Sequence, residues 1–286
     1  MDINSLQFKK LDFKALLTMV EWAAAEGWNP GPYDADIYWK TDPDGFYGFF
    51  DGSKLLAGGS IVSYNGEFGF MGFFIVHPDY RGQGIGNKLW YLRRDKLLSR
   101  LKPGAVIGMD GVVNMQEFYR KGGFEIAFRD ERYSRKGEKF EINHNISPVY
   151  NDDIKHILAY DKLCFGFERS QFLIPWLNQP ESHTFKFVEN DVLKGFAFLR
   201  KLRLGYKICP LFADNIETAK QLYESCLNTH PDETFFIDIP RNNPDALKLI
   251  EMYNAEYTFE CARMYYGNPP NNDWSKVFGI TSFELG

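Results

Sequence analysis

Apolar side chains along the chain recur first at helical spacing and then in short runs. Residues 13–26, FKALLTMVEWAAAE, repeat them three and four apart and stop at Gly27, which predicts a helix. The following GWNPGPYDAD is dense in Gly, Pro and Asp and predicts a structured loop. Three apolar runs come next, DGFYGFFDG, KLLAGGSIVSYNGE and FGFMGFFIV. They are divided by Asp51-Gly52 and Asn65-Gly66, both suited to positive φ in a hairpin turn, so an antiparallel meander is expected. A polar, glycine-rich HPDYRGQGIG leads into NKLWYLRRDKLLSRL, a helical pattern ended by Lys102-Pro103-Gly104. Strand AVIGMD, short helix VVNMQEFYRKG and strand FEIAFRDERYSR complete the order α-β-β-β-loop-α-β-α-β.

The second half repeats that order. After a connector, FEINHNISPVY, helix DDIKHILAYDKLCFG leads to strands TFKFVEN, VLKGFAFLRKL and GYKICPLFA. Helix NIETAKQLYESCLNTH, strand FFIDIP, helix NPDALKLIEMYN and strand YTFECARMYYG follow. An apolar tail, WSKVFGITSFELG, is expected to pair with or pack on a domain. Two similar α/β mixed-sheet domains in tandem are therefore expected, 1–140 and 150–286. The length of 286 residues agrees, being about twice that of a common domain.

A net charge of −5 argues against nucleic acid as a partner. No stretch of about 20 apolar residues is present, so no membrane span is expected, and no signal-peptide pattern opens the chain. Cys164, Cys209, Cys226 and Cys261 form no CxxC pair and have no metal-ligand spacing. They predict reduced thiols in a cytoplasmic protein that holds no metal.

The chemistry concentrates at Arg81-Gly82-Gln83-Gly84-Ile85-Gly86, between a strand and a helix. Glycines let successive backbone N–H groups converge on an anion, and the helix N-terminus points its unpaired N–H groups the same way. Such a loop suits a pyrophosphate, with Arg81 either contacting it or bracing the loop. A plain tight turn is the rival reading. A Rossmann site does not fit, because the glycines fall at 82, 84 and 86 and the preceding strands are antiparallel. A P-loop is excluded, since no Gly-Lys-Ser/Thr follows.

FFIVHPDYRGQGIGNKLW resembles motif A of the GNAT superfamily of acetyltransferases, with Arg81, Gly84 and Gly86 at the motif positions. Asn114 and the segment from Tyr119 to Phe124 resemble that family's second motif. The resemblance covers roughly residues 10 to 135 and implies a V-shaped opening between FGFMGFFIV and AVIGMD that takes acetyl-coenzyme A. It implies backbone pairing of the pantetheine arm with Phe74, Ile75 and Val76. It further implies pyrophosphate on residues 82–86, including Gly82, Gln83 and Ile85, and a hydrogen bond from Asn114.

Acetyl transfer needs an unprotonated amine, a stabilised oxyanion and a proton for the departing thiolate. The resemblance implies Tyr119 as the acid; its other reading is a core ring. Glu67, at the start of one cleft strand, and Asp110, at the end of the other, are the candidate bases. Their alternatives are a solvated hairpin residue and a turn residue. Trp28, Tyr33, Asp34 and Asp36, in the loop after the first helix, are candidates for holding the amine, against a purely structural loop. His77, beside the glycine loop, reads as a structural His-Pro turn.

At the corresponding place the second half has Pro210-Leu211-Phe212-Ala213-Asp214-Asn215, without glycine and with a helix N-cap at Asp214 or Asn215. It resembles the degenerate half of tandem GNAT proteins, with no coenzyme A of its own and an acceptor-site or structural role. The aromatic LCFGFERSQFLIPW with Arg169 is either substrate contact or packing. An acetyl-CoA-dependent N-acetyltransferase acting on a small primary amine is the leading expectation. A non-catalytic acyl-CoA sensor and a protein lysine or N-terminal acetyltransferase are the alternatives. A chain cut near Arg135 is expected to keep cofactor binding.

Overall fold

A computed structural model describes residues 3–286. The first half runs β1 (Gln7–Lys10), α1 (Phe13–Ala25), α2 (Asp34–Thr41), β2 (Phe46–Asp51), β3 (Lys54–Tyr64) and β4 (Phe68–Val76). It continues through α3 (Ile85–Leu98), β5 (Val106–Val112), α4 (Gln116–Lys121) and β6 (Glu125–Lys136). The second half runs β7 (Ile146–Pro148), α5 (Ile154–Phe165), α6 (Ser170–Leu177), β8 (Ser182–Glu189), β9 (Val192–Lys201) and β10 (Tyr206–Ala213). It ends with α7 (Ile216–Leu227), β11 (Thr234–Pro240), α8 (Pro244–Met252), β12 (Glu256–Tyr266) and β13 (Val277–Gly279).

The expected meander is β2, β3 and β4, with Gly52, Asn65 and Gly66 all at positive φ in its turns. Two helices and two short strands lie outside the sequence expectation. α2 begins inside the Asp- and Pro-rich loop, α6 holds Trp176, β1 pairs with β2, and β7 sits in the connector.

Among the described residues the strands form one mixed, mostly antiparallel thirteen-stranded sheet, β1-β2-β3-β4-β5-β12-β6-β11-β10-β9-β8-β7, with β13 on β10. Each half lends a strand to the other. β12 lies between β5 and β6, and β6 pairs along β11 from Thr234↔Lys136 to Pro240↔Asp130. One large core follows the same logic, with α1 and α2 packing beside α5 and α6 around Phe70, Phe172, Trp176 and Phe198.

β4 and β5 run parallel and pair only from Phe68 to Phe70, after which they diverge. The divergence is built locally. Phe73 has φ 49, unusual for a bulky residue, and the β3–β4 register shifts between Gly58 and Ser60. Below this irregularity Arg93 of α3, 1% exposed, donates to the carbonyls of Ser60 (2.5 Å) and Gly72 (2.8 Å).

The second half opens in the same place and closes again. β10 and β11 pair over Tyr206–Ile208, and past that point β13 pairs with β10 at Leu211↔Gly279 and Phe212↔Val277. The Ile280 N–H bonds the Asp238 carbonyl of β11 at 2.8 Å, so the tail fills this second opening.

Candidate active site

Two hollows meet at the β4–β5 opening. The outer one is lined by Ile75, Val76, Arg81, Gly82, Gly84, Gly86 and Asn114. The inner one is lined by Met71, Gly72, Phe73, Met109 and Asp110, and by Arg132, Phe259, Cys261, Phe283 and Glu284. Trp28, Phe74, Val112 and Tyr119 line both and form the wall they share.

The loop has the geometry of an anion cradle. Gly84 is the N-cap of α3 with φ 80, and Gly82 has φ 73. Both conformations strongly disfavour a side chain. A Cβ on Gly82 would meet nothing within 4 Å, so the backbone is open to an incoming group. Arg81 braces the loop: its Nε donates to the Val76 carbonyl at 2.9 Å and its guanidinium pairs with Glu26. Gln83 donates to the Asp79 carbonyl (3.2 Å), Ile85 packs into the core, and Asn114 stands exposed at the cleft rim. Since β5 leaves β4 after Phe70, the β4 edge at Phe74, Ile75 and Val76 carries no strand on the side of the opening.

Tyr119 sits at the junction, 5% exposed and stacked at 5.8 Å on Trp90. Burial pushes its phenol up to about 12, while Arg93 pulls the other way, so the hydroxyl keeps its proton.

The other candidates fare differently. Glu67 lies at the paired end of β4, away from the opening, in an exposed ion pair with Lys102 at 2.9 Å. It stands there because the Asn65-Gly66 turn is where β4 begins. Asp34 is 1% exposed and clamped by Arg200, the Gly31 N–H (2.8 Å) and the Tyr38 hydroxyl (3.4 Å), so it faces no ligand. Tyr33 donates to Glu181 at 3.0 Å and lines neither hollow, and neither does the exposed Asp36. Trp28 does line both. Asp110 lines the inner hollow, yet its two oxygens accept the Arg263 fork at 2.6 and 3.0 Å. Burial raises Asp110, and burial together with the neighbouring Asp110 pushes Asp130 well above the usual carboxyl range. Burial and the carboxylates around Cys261 likewise leave it a thiol.

An acceptor-site or structural role for the second half is expected from sequence, but the residues that reach the hollow are not identified there. Phe259, Cys261, Phe283 and Glu284 of the second half reach the hollow through β12 and the tail, and Arg132 reaches it from β6 of the first half. Arg169 is packing: it is 2% exposed and holds Asp161, the Thr281 hydroxyl and the Gly286 carbonyl. Asn215, through the Thr218 N–H at 3.0 Å, caps α7. His77 caps its own turn through the Asp79 N–H. All four cysteines are free and buried. Among the described residues there is no group of three or more potential metal ligands, and no helix is long and apolar enough to cross a membrane.

Residues 13–124 match the acetyltransferase (GNAT) family, and residues 157–279 match an acetyltransferase (GNAT) domain. A holothin acyltransferase of a Pseudoalteromonas strain is 28% identical over 93% of this chain and 90% of its own length. An acetyltransferase of Pectobacterium atrosepticum is 32% identical over 36% of this chain and 79% of its own. Among solved structures, a putative acetyltransferase from Pyrococcus horikoshii superposes with TM-score 0.84 at 22% identity, over 99% of this chain and 96% of that one. A tandem GNAT protein from the clavulanic acid biosynthesis pathway superposes with TM-score 0.63 at 12% identity, over 93% and 100%.

Proposed function

We propose, from the premise that the chain belongs to the GNAT family of acyltransferases and carries two such domains in tandem, that it moves an acetyl group from acetyl-coenzyme A to a primary amine of a small molecule. One observation carries the reading: the glycine-loop cleft and the inner hollow share a wall at Tyr119. A donor held in the outer part and an acceptor in the inner part would meet there. The open glycine backbone and the free β4 edge fit a pyrophosphate and an amide-bearing arm, and Asn114 stands beside them.

In this reading the donor supplies an activated acyl thioester. The protein's own part is to align the amine with it, receive the amine proton and return a proton to sulfur from the Tyr119 hydroxyl. A thiol at Cys261 supports direct attack by the amine over transfer through cysteine. The aromatic walls at Trp28, Phe259 and Phe283 favour a small acceptor with an apolar body over a peptide strand. The relative that aligns along nearly the whole chain is named for acylating holothin, which supports acyl transfer beyond acetylation of proteins. Four buried free thiols support a reducing, cytoplasmic setting.

The test is release of free thiol from acetyl-CoA, followed for the full chain against a broad panel of primary amines and a lysine-containing peptide. Amine-dependent release with a small molecule is expected. Tight coenzyme A binding with no turnover of any amine would establish a sensor instead, and turnover of the peptide alone would establish a protein acetyltransferase.

A further inference from the structure

We infer that Glu284, on the tail of the second half, is the group that receives the amine proton in the first half's active site; this rests on the acyl-transfer reading above. Two acidic residues line the inner hollow, Asp110 and Glu284. Asp110 has no exposed side-chain surface, and both its oxygens are held by Arg263. Of the other buried acids, Asp34 is engaged with Arg200 and Asp238 with Arg132 and Lys207, while Asp130 is fully buried and lines neither hollow. Glu284 is only partly buried, and its Oε2 accepts from the Ser282 hydroxyl at 2.7 Å.

The backbone carrying Glu284 is fixed tightly. Ser60 Oγ donates to the Glu284 carbonyl at 2.9 Å and accepts from the Gly72 N–H at 3.0 Å, which ties the tail to the diverging part of β4. The Tyr64 hydroxyl holds the Leu285 carbonyl at 2.8 Å. A Cβ on Gly72 would collide with the Glu284 carbonyl, so β4 is bare where the tail crosses it. The charged and titratable groups that feel Glu284 come from every side: Asp34 and Tyr38 of α2, Asp110 of β5, Arg132 of β6 and Arg200 of β9. Both arginines already carry a carboxylate partner, Arg200 with Asp34 and Arg132 with Asp238, and Glu284 lies within reach of their fields.

The step balances. An ammonium gives one proton to the Glu284 carboxylate, which passes it to water. The free amine forms the C–N bond at the thioester carbonyl, and the nitrogen loses a second proton by the same route. The C–S bond breaks as Tyr119 protonates the sulfur, and Tyr119 regains its proton from water. Amide and free thiol are the products.

Full-length Glu284→Gln, assayed with acetyl-CoA and the panel amine that wild type turns over fastest, separates the possibilities. At neutral pH kcat is expected to fall roughly 10²–10³-fold, while coenzyme A affinity by calorimetry matches wild type. The deficit should shrink as pH rises past the acceptor's own pKa, because the amine then arrives deprotonated. A loss that is equal at every pH, or wild-type turnover, overturns the assignment and leaves acyl transfer standing. A wild type that binds coenzyme A and acylates no amine overturns both. Should Glu284→Gln not fold, Ser282→Ala decides: a smaller loss with the same pH slope supports the assignment, and wild-type rates throughout overturn it.

Discussion

Tyr119 keeps its ring against Trp90 when its hydroxyl is removed, so Tyr119→Phe deletes a proton source and little packing. We expect kcat to fall about 10²–10³-fold with coenzyme A affinity by calorimetry unchanged. Unchanged kcat would take the phenol out of the chemistry. Asp130 gives a second residue-scale test, of stability. Its carboxyl is raised by burial first and by Asp110 second, so the native state holds a proton that the unfolded chain releases above the ordinary carboxyl range. The native state therefore loses ground as pH rises. Asp130→Asn should raise the melting temperature over wild type by a margin that grows from pH 4 to pH 8, and a constant margin would refute the linkage. At this scale the sequence was legible where the signal is local. The glycine loop and Tyr119 lie in short motifs whose residue types and spacing are written in the chain itself. Glu284 was not legible, because only the folded path of the tail brings it beneath β4. Glu67 misled because standing at the start of a cleft strand says nothing about which end of that strand opens.

The opening between β4 and β5 is an element-scale device, and Arg93 holds it. Truncation by Arg93→Met leaves the Ser60 and Gly72 carbonyls without the buried donor they share. At about 1–3 kcal/mol for each unsatisfied group, a loss of roughly 2–6 kcal/mol is expected in chemical denaturation. Less than about 1 kcal/mol would mean that the backbone irregularity stands without it. Gly84→Leu tests the loop. A side chain at φ 80 costs about 1–2 kcal/mol and blocks the cradle, so coenzyme A affinity should fall at least about tenfold while the far-UV spectrum is kept. The meander was readable from sequence because its turns are set by two residues each. α2 was hidden because its first turn, Asp34-Ala35-Asp36, reads as loop, and its burial against α6 decides the matter. β13 was unreadable for a different reason: its place is the slot left open by β10 and β11, which no local pattern encodes.

At the scale of the molecule the exchanged strands decide how the chain divides. A strand reads the same in sequence whichever neighbour it pairs with, so the passage of β12 between β5 and β6 left no trace there. A chain ending at Lys136 lacks β12, leaving β5 and β6 without the strand that joins them. The full chain is therefore expected to bind coenzyme A, and the 1–136 fragment to be insoluble or non-binding, reversing the expectation from sequence. A soluble fragment with native affinity would show the exchange to be dispensable. The joint also carries an acid-sensitive link. Burial works against the Asp238 carboxylate, but Arg132 and Lys207 outweigh it and hold the group at about 2. Its pKa lies below the unfolded value near 3.9, so the stability it contributes is present above about pH 4 and lost as pH falls toward 2. Acid unfolding followed by near-UV dichroism should steepen in that window, and Asp238→Asn should flatten it.

Strands that cross in both directions also remove a hinge. Swinging the halves apart would tear the β6–β11 and β5–β12 ladders together, a cost far above the energies of ordinary clamshell closure. The inner hollow is then a room of fixed dimensions. Under the proposed function a bulkier amine is expected to be admitted by trimming a lining side chain such as Phe259 or Phe283, and not by loosening the joint.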